Sequence, residues 1–222
     1  MSRWPNLQLS SGMVAGSEDL ELDAAIQSSG MTVLLGRPGL NRDEMFLRFM
    51  CSAMLRGRVL VLHSKPFVRA ERLLQLLGGK EELLSRAVFH RMPTFESQES
   101  ALRRLDVDSA KMETNSVFFD SPTDNYLVSL ALAVDSAQTL KRINASMIRQ
   151  FAYLKDVSTK NIRVLLTMGN LYGINTIEEY LLRHWPDLII NIREAGEVST
   201  GPSASEPMAL SRSSARVITV LG

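Results

Sequence analysis

Cysteine is almost missing from this chain, where Cys51 stands alone among 222 residues. One thiol cannot build an intramolecular disulfide framework or a cysteine-based zinc site, and its isolation favours a reducing compartment. An excess of either charge is missing too, because 25 basic and 24 acidic side chains leave a formal net charge of +1. No overall field therefore recruits nucleic acid or an anionic membrane, and any nucleic-acid contact has to be a local patch. No apolar run approaches the roughly 18 to 20 residues of a membrane-spanning helix, and the opening MSRWPNLQLSSG lacks the apolar core of a signal peptide. His63, His90 and His184 are far apart, and none has a partner at ligand spacing, so no metal centre is expected. The expectation is a soluble intracellular protein without a membrane partner, cytoplasmic in a prokaryote and nuclear in a eukaryote.

What the chain does have is core material. Hydrophobic residues make up 45% of it, and its length sits near the upper end of a single domain. Short apolar runs alternate with longer segments of helical period, the pattern of β-α units around a mostly parallel sheet. Met31 to Leu35, Val59 to Leu62, Ala87 to Phe89, Val117 to Phe119, Ile162 to Thr167 and Leu188 to Ile192 each have the branched content of a buried strand, and Arg216 to Leu221 adds a seventh. Arg42 to Arg56 predicts a helix with Met45, Phe46, Phe49, Met50 and Ala53 on one face and Gly57 as its C-cap. Asn125 to Val134 and Thr139 to Lys155 predict two more. The second of these carries a stripe of Ile143, Met147, Ile148, Phe151 and Leu154 that reads as core. The predicted class is α/β, with an extension over residues 1–29 packing on a core domain over 30–222. Residues 197–214, rich in Ser, Gly, Pro and Ala, read as a mobile loop between the last two strands.

The segment TVLLGRPGLNRDEMF has the layout of a phosphate-binding loop: buried strand, glycine turn, helix. In a working loop of spacing G-x-x-x-x-G-K-[ST], backbone N–H groups and a Lys hold the phosphates while a hydroxyl holds Mg²⁺. The eight positions here read Gly36, Arg37, Pro38, Gly39, Leu40, Asn41, Arg42 and Asp43. Asn41 brings a side chain to the second required glycine, and Arg42 replaces a compact ammonium with a planar fork. Asp43 puts a carboxylate where the hydroxyl belongs, so repulsion of phosphate is expected. Further on, NSVFFDSP ends an apolar run in Asp120, which has the chemistry of a Walker B aspartate. Asp120 is therefore expected at the carboxyl end of a central parallel strand, beside the turn Gly36 to Asp43.

In this order along the chain, the segment LSSGMVAGSEDLELDAAIQSSGMTVLLGRPG resembles the opening of RecA/RadA recombinases and their paralogues. GRVLVLHSKPFVRAERLL, Ala87 to Pro93, the strand at Asp120 and IRVLLTMGNL extend the resemblance over nearly the whole chain, closest to RadB-like non-catalytic recombinase paralogues with a degenerate Walker A. It implies a RecA-like core and a role in assisting a recombinase on single-stranded DNA. It also exposes departures. The glutamate that positions the attacking water in family members that hydrolyse ATP corresponds here to Lys65, which cannot accept a proton. Met168 and Gly169 replace the asparagine-glutamine pair that senses the γ-phosphate.

The reading that follows is a pseudo-ATPase, not an enzyme, with no ATP cofactor. Gly36, Gly39, Arg42, Asp43 and Asp120 would be the remains of its nucleotide site. Its partners would be a catalytic recombinase or another RecA-like paralogue, in a homo- or hetero-oligomer that reaches single-stranded DNA within a complex. The resemblance puts the DNA-binding loops at Ser121 to Tyr126 and Asn170 to Trp185, where Tyr172 could stack a base and Arg183 is the only basic residue; Arg37 is a third contact candidate. Two rival readings are a structural subunit of a RecA-like ring, similar to the Elongator accessory subunits of tRNA modification, and an atypical active ATPase using Arg42 and Asp120.

Overall fold

The structure, a computed structural model, describes residues 17–65, 70–133, 136–169, 176–193 and 215–221. Helix α1 (Ser17–Ser28) leads into strand β1 (Met31–Leu35) and helix α2 (Leu40–Arg56), followed by β2 (Arg58–His63) and α3 (Ala70–Leu76). A 3₁₀ turn (Glu81–Arg86) precedes β3 (Ala87–Arg91). Then come α4 (Phe95–Arg103), α5 (Leu105–Lys111), β4 (Thr114–Asp120), α6 (Thr123–Leu132), α7 (Ala137–Ser158), β5 (Arg163–Met168), α8 (Thr176–His184), β6 (Leu188–Arg193) and β7 (Arg216–Leu221).

The strands form one seven-stranded sheet in the order β3-β2-β4-β5-β1-β6-β7. Every pairing is parallel. This is the α/β class predicted, in the RecA-like arrangement. Side chains alternate between the two faces, as the pleat requires. On one face Met31, Val33, Leu35, Leu60, Leu62, Val117, Phe119, Val164 and Leu166 pack under the helices α4 to α8. On the other, Leu34, Val59, Val61, Phe118, Leu165 and Ile190 pack under α1, α2 and α3. Leu22, Ala25 and Ile26 bring α1 into that second cluster. Phe46 of α2 meets Phe118 edge to face, with centroids 5.6 Å apart. The α7 stripe is core: Met147, Phe151 and Leu154 are buried, with Ile143 and Ile148 packed beside them.

Three expectations change. The run at Ala87 to Phe89 is a strand but not a buried one: β3 borders only β2 at the sheet margin and leaves Val88 and Phe89 exposed. An apolar run reports strand propensity, whereas burial depends on whether a helix lies above it. Asn170 to Trp185 is not a loop throughout, because Thr176 to His184 forms α8 and buries Ile177, Leu181 and Leu182 in the first cluster. Likewise Ser121 to Tyr126 mostly belongs to α6, which starts at Thr123. Residues 197–214 lie outside the described residues, as do Tyr172 and residues 1–16 of the predicted extension. Among the described residues no helix is long and apolar enough to cross a membrane.

Candidate functional site

The carboxyl edge of a parallel sheet is where helix N-termini and loop backbone converge, and the residues singled out above gather there. Strand β1 runs out at Leu35 into the turn before α2, and Gly36 continues the ladder through its N–H to the Met168 carbonyl at 3.2 Å. A Cβ on Gly36 would sit 3.1 Å from the Ile192 carbonyl oxygen and 3.2 Å from its Cβ, so any larger residue would press β6 away by a few tenths of an ångström. Gly39 differs: its backbone is extended, and a Cβ there would meet nothing within 4 Å. The first turn of α2 closes with Asp43 N–H donating to the Gly39 carbonyl at 3.0 Å.

Arg42 is the central cation of this edge and is only 4% exposed. Its Nε and Nη2 donate to Asp43 Oδ1 at 3.0 and 2.8 Å. A buried guanidinium and the neighbouring carboxylate thus satisfy one another. Lys65 is paired as well: its Nζ lies 2.8 Å from Asp124 Oδ2 on α6. The exposed Arg37 stands on the turn itself.

Asp120 ends β4, with β5 between it and β1. The residue lies across from His63 in the register of β2 and β4. Its Oδ1 accepts from Thr167 Oγ1 at 2.6 Å and from Ser121 Oγ at 3.2 Å, while Ser121 N–H donates to Thr167 Oγ1 at 2.7 Å. Ser121 adopts a left-handed backbone with φ 51°, which costs an L-residue about 1 to 2 kcal/mol, and the N–H bond to Thr167 offsets part of that. Burial pushes the Asp120 carboxyl above the usual range, and the nearby Asp43 adds to the rise. The Thr167 hydroxyl, the charge of Arg42 and the Ser121 hydroxyl oppose it. The charges of Arg42 and Asp43 therefore both reach the Asp120 carboxyl.

Behind Asp120 runs a buried polar network that sequence reasoning missed. Gln98 of α4 donates to the Pro122 carbonyl at 2.9 Å and to Gln150 of α7 at 2.7 Å, and it accepts from Asn125 at 3.2 Å. Gln150 reaches Ser146 at 3.3 Å, and Ser146 donates to Glu99 at 2.7 Å. The chain leaving Asp120 is fixed by this set of amides, whose polarity hides α4 from a search for apolar periodicity. Thr167 carried a readable signal, as a hydroxyl closing the run IRVLLT.

Of the DNA-contact candidates, Arg183 is already engaged on its own helix. Arg183 Nη2 donates to Glu179 one turn earlier on α8 at 2.5 Å. Among the described residues no three His, Cys, Asp or Glu side chains converge to hold a metal ion. Cys51 is buried, and burial pushes its thiol up to about 12, which leaves it unreactive.

Fold and site together define an α/β protein of RecA-like type whose carboxyl edge is occupied by mutually paired side chains. No protein-family model matches the chain. It is 25% identical over 182 residues, 80% of this chain and 82% of the other, to the DNA repair and recombination protein RadB of Methanococcus maripaludis. That similarity and the all-parallel sheet support a place in the RecA-like superfamily.

Proposed function

We propose that this protein is a non-catalytic recombinase paralogue that works through protein contacts in homologous recombination or DNA repair. The similarity to a DNA repair and recombination protein supports the process. The observation that carries the non-catalytic reading is the pairing of Arg42 with Asp43: the one buried cation of the degenerate loop is neutralised from within. The residues do not suit a nucleoside triphosphate and its Mg²⁺, because a carboxylate stands at the hydroxyl position and Lys65 stands where a base is needed. A RecA-like domain that turns over no ATP retains the surfaces through which such domains assemble. The described surface has the chemistry for this: Leu127, Val128 and Leu132 lie exposed along α6, the last at 84%. A catalytic recombinase or another RecA-like paralogue is the partner, and single-stranded DNA is reached within that complex. The RadB similarity favours this over an Elongator-like subunit.

Two measurements on the purified chain test the reading. Phosphate release from ATP should stay at background, and Asp120→Ala should change nothing. Labelled single-stranded DNA, titrated at low and physiological salt, should bind weakly and salt-sensitively to the chain alone and clearly only with a recombinase present. Tight binding by the chain alone at physiological salt, or turnover abolished by Asp120→Ala, overturns it.

A further inference from the structure

Glu178, in the first turn of α8, is 0% exposed, and neither carboxyl oxygen has a hydrogen-bond partner. Such a group is costly to bury as an anion, because the folded state removes its hydration and returns no well-formed hydrogen bond. Its neighbours along the helix, Ile177, Leu181 and Leu182, pack into the first core cluster with Tyr126 of α6 and Met147 of α7. The Thr123 hydroxyl at the start of α6 lies close enough to relieve part of the burial penalty.

Several charged groups on the elements packed here are engaged elsewhere. On α8, Glu179 holds Arg183, and His184 stacks against Tyr180 with centroids 4.6 Å apart. On α6, Asp124 is paired with Lys65, and on α7, Lys155 with Asp187. Asp120 is bonded to Thr167 and Ser121. Among the described residues no charge compensates an ionised Glu178.

We propose that Glu178 is a proton-operated latch: as a neutral acid it lets α8 dock on the layer of α6 and α7, and its ionisation loosens α8 beside the carboxyl edge of the sheet. The latch does not depend on the function proposed above. Burial pushes the Glu178 carboxyl up to about 7, with Thr123 acting in the opposite sense. A folded value raised above the usual 4.5 favours the docked state at low pH. That preference is lost as pH rises from about 4.5 toward 7, and it is gone above the folded value. The switch therefore sits at neutral pH, where the buried carboxyl is half ionised.

Amide hydrogen exchange of the full chain, followed across α8 from pH 5 to 8 and corrected for intrinsic exchange, tests this. The opening constant should rise roughly 50-fold between pH 5 and 7.5 and then level off. Glu178→Gln and Glu178→Leu should each flatten the profile to within about threefold. Asp120, raised in the same sense, remains in both variants, so the difference isolates Glu178. A flat wild-type profile, an unchanged rise in the variants, or failure of both variants to fold would each overturn the latch.

Discussion

If Asp43 closes the loop by holding Arg42, then removing its carboxylate should reopen the site to anions. Asp43→Ser restores a hydroxyl at that position and frees two guanidinium nitrogens now 3.0 and 2.8 Å from Asp43 Oδ1. A charge-assisted hydrogen bond from the freed guanidinium is worth about 1.5 to 3 kcal/mol. A unit negative charge about 5 Å from a phosphate oxygen costs about 3 kcal/mol at an effective dielectric of 20. Asp43 is 48% exposed, so solvent screening reduces the second figure to about 1 kcal/mol. The combined gain of about 2.5 to 4 kcal/mol corresponds to roughly 70- to 900-fold in affinity for tripolyphosphate or ATP. Calorimetric titration of both ligands at low salt, on wild type, Asp43→Ser and Asp43→Asn, reads it directly, with the Asn variant intermediate. Turnover should remain at background in all three, because Lys65 is unchanged. Tight ATP binding by the wild type, or no gain in the Ser variant, would refute the idea that the loop is closed from within.

Three further outcomes follow from the geometry. Gly36→Ala drives a Cβ into the Ile192 backbone at 3.1 Å and should lower the unfolding free energy by about 1 to 3 kcal/mol in urea, whereas Gly39→Ala, with open space, should stay within about 0.5 kcal/mol. Gln98→Leu leaves the Pro122 carbonyl and the Gln150 amide oxygen without their buried donor and should cost about 2 to 4 kcal/mol by the same assay. Acid lability should trace to Glu44 and Glu99. Burial works to raise both carboxyls, but Arg72 and Arg48 at the first, and Ser146, Arg149 and Arg103 at the second, outweigh it and hold them below the usual 4.5. Depressed carboxyls stabilise the fold above about pH 4.5 and lose that contribution as pH falls through the depressed values, so Glu44→Gln should flatten the acid limb of a thermal melt profile.

The sheet was legible because a parallel strand buried on both faces must be continuously apolar, and five of the seven runs met that demand in the strand they predicted, while β7, at the margin opposite β3, keeps Ile218 and Val220 only partly buried. Strand β3 satisfied the same composition rule and still lies at the margin, since nothing in AVFHR reports the missing helix above it. Helices α4 and α5 were invisible for the opposite reason: FESQESALR and LDVDSAK put Gln98 and Ser109 into the interior, so polar residues occupy core positions. In α8 the helical spacing of Ile177, Leu181 and Leu182 was readable, but carrying over loop positions from a resembling family overrode it.

The same contrast governs the site. Gly36 and Asp120 could be located by residue type and order, because strand ends fix where such residues fall. The pairings could not. Arg42 and Asp43 are consecutive in a helix, where adjacent residues point about 100° apart and do not ordinarily meet. Only a side chain as long as arginine can fold back to its neighbour, and it does so here because burial leaves the guanidinium no water to turn to. Lys65 and Asp124 are separated by two strands in the sequence and meet because β2 and β4 are adjacent in the sheet. A sequence reports which groups have been replaced in a site of this kind. Whether the replacements repel a ligand or cancel one another depends on tertiary neighbours, and here Arg42 and Lys65 each stand against a carboxylate of the same chain.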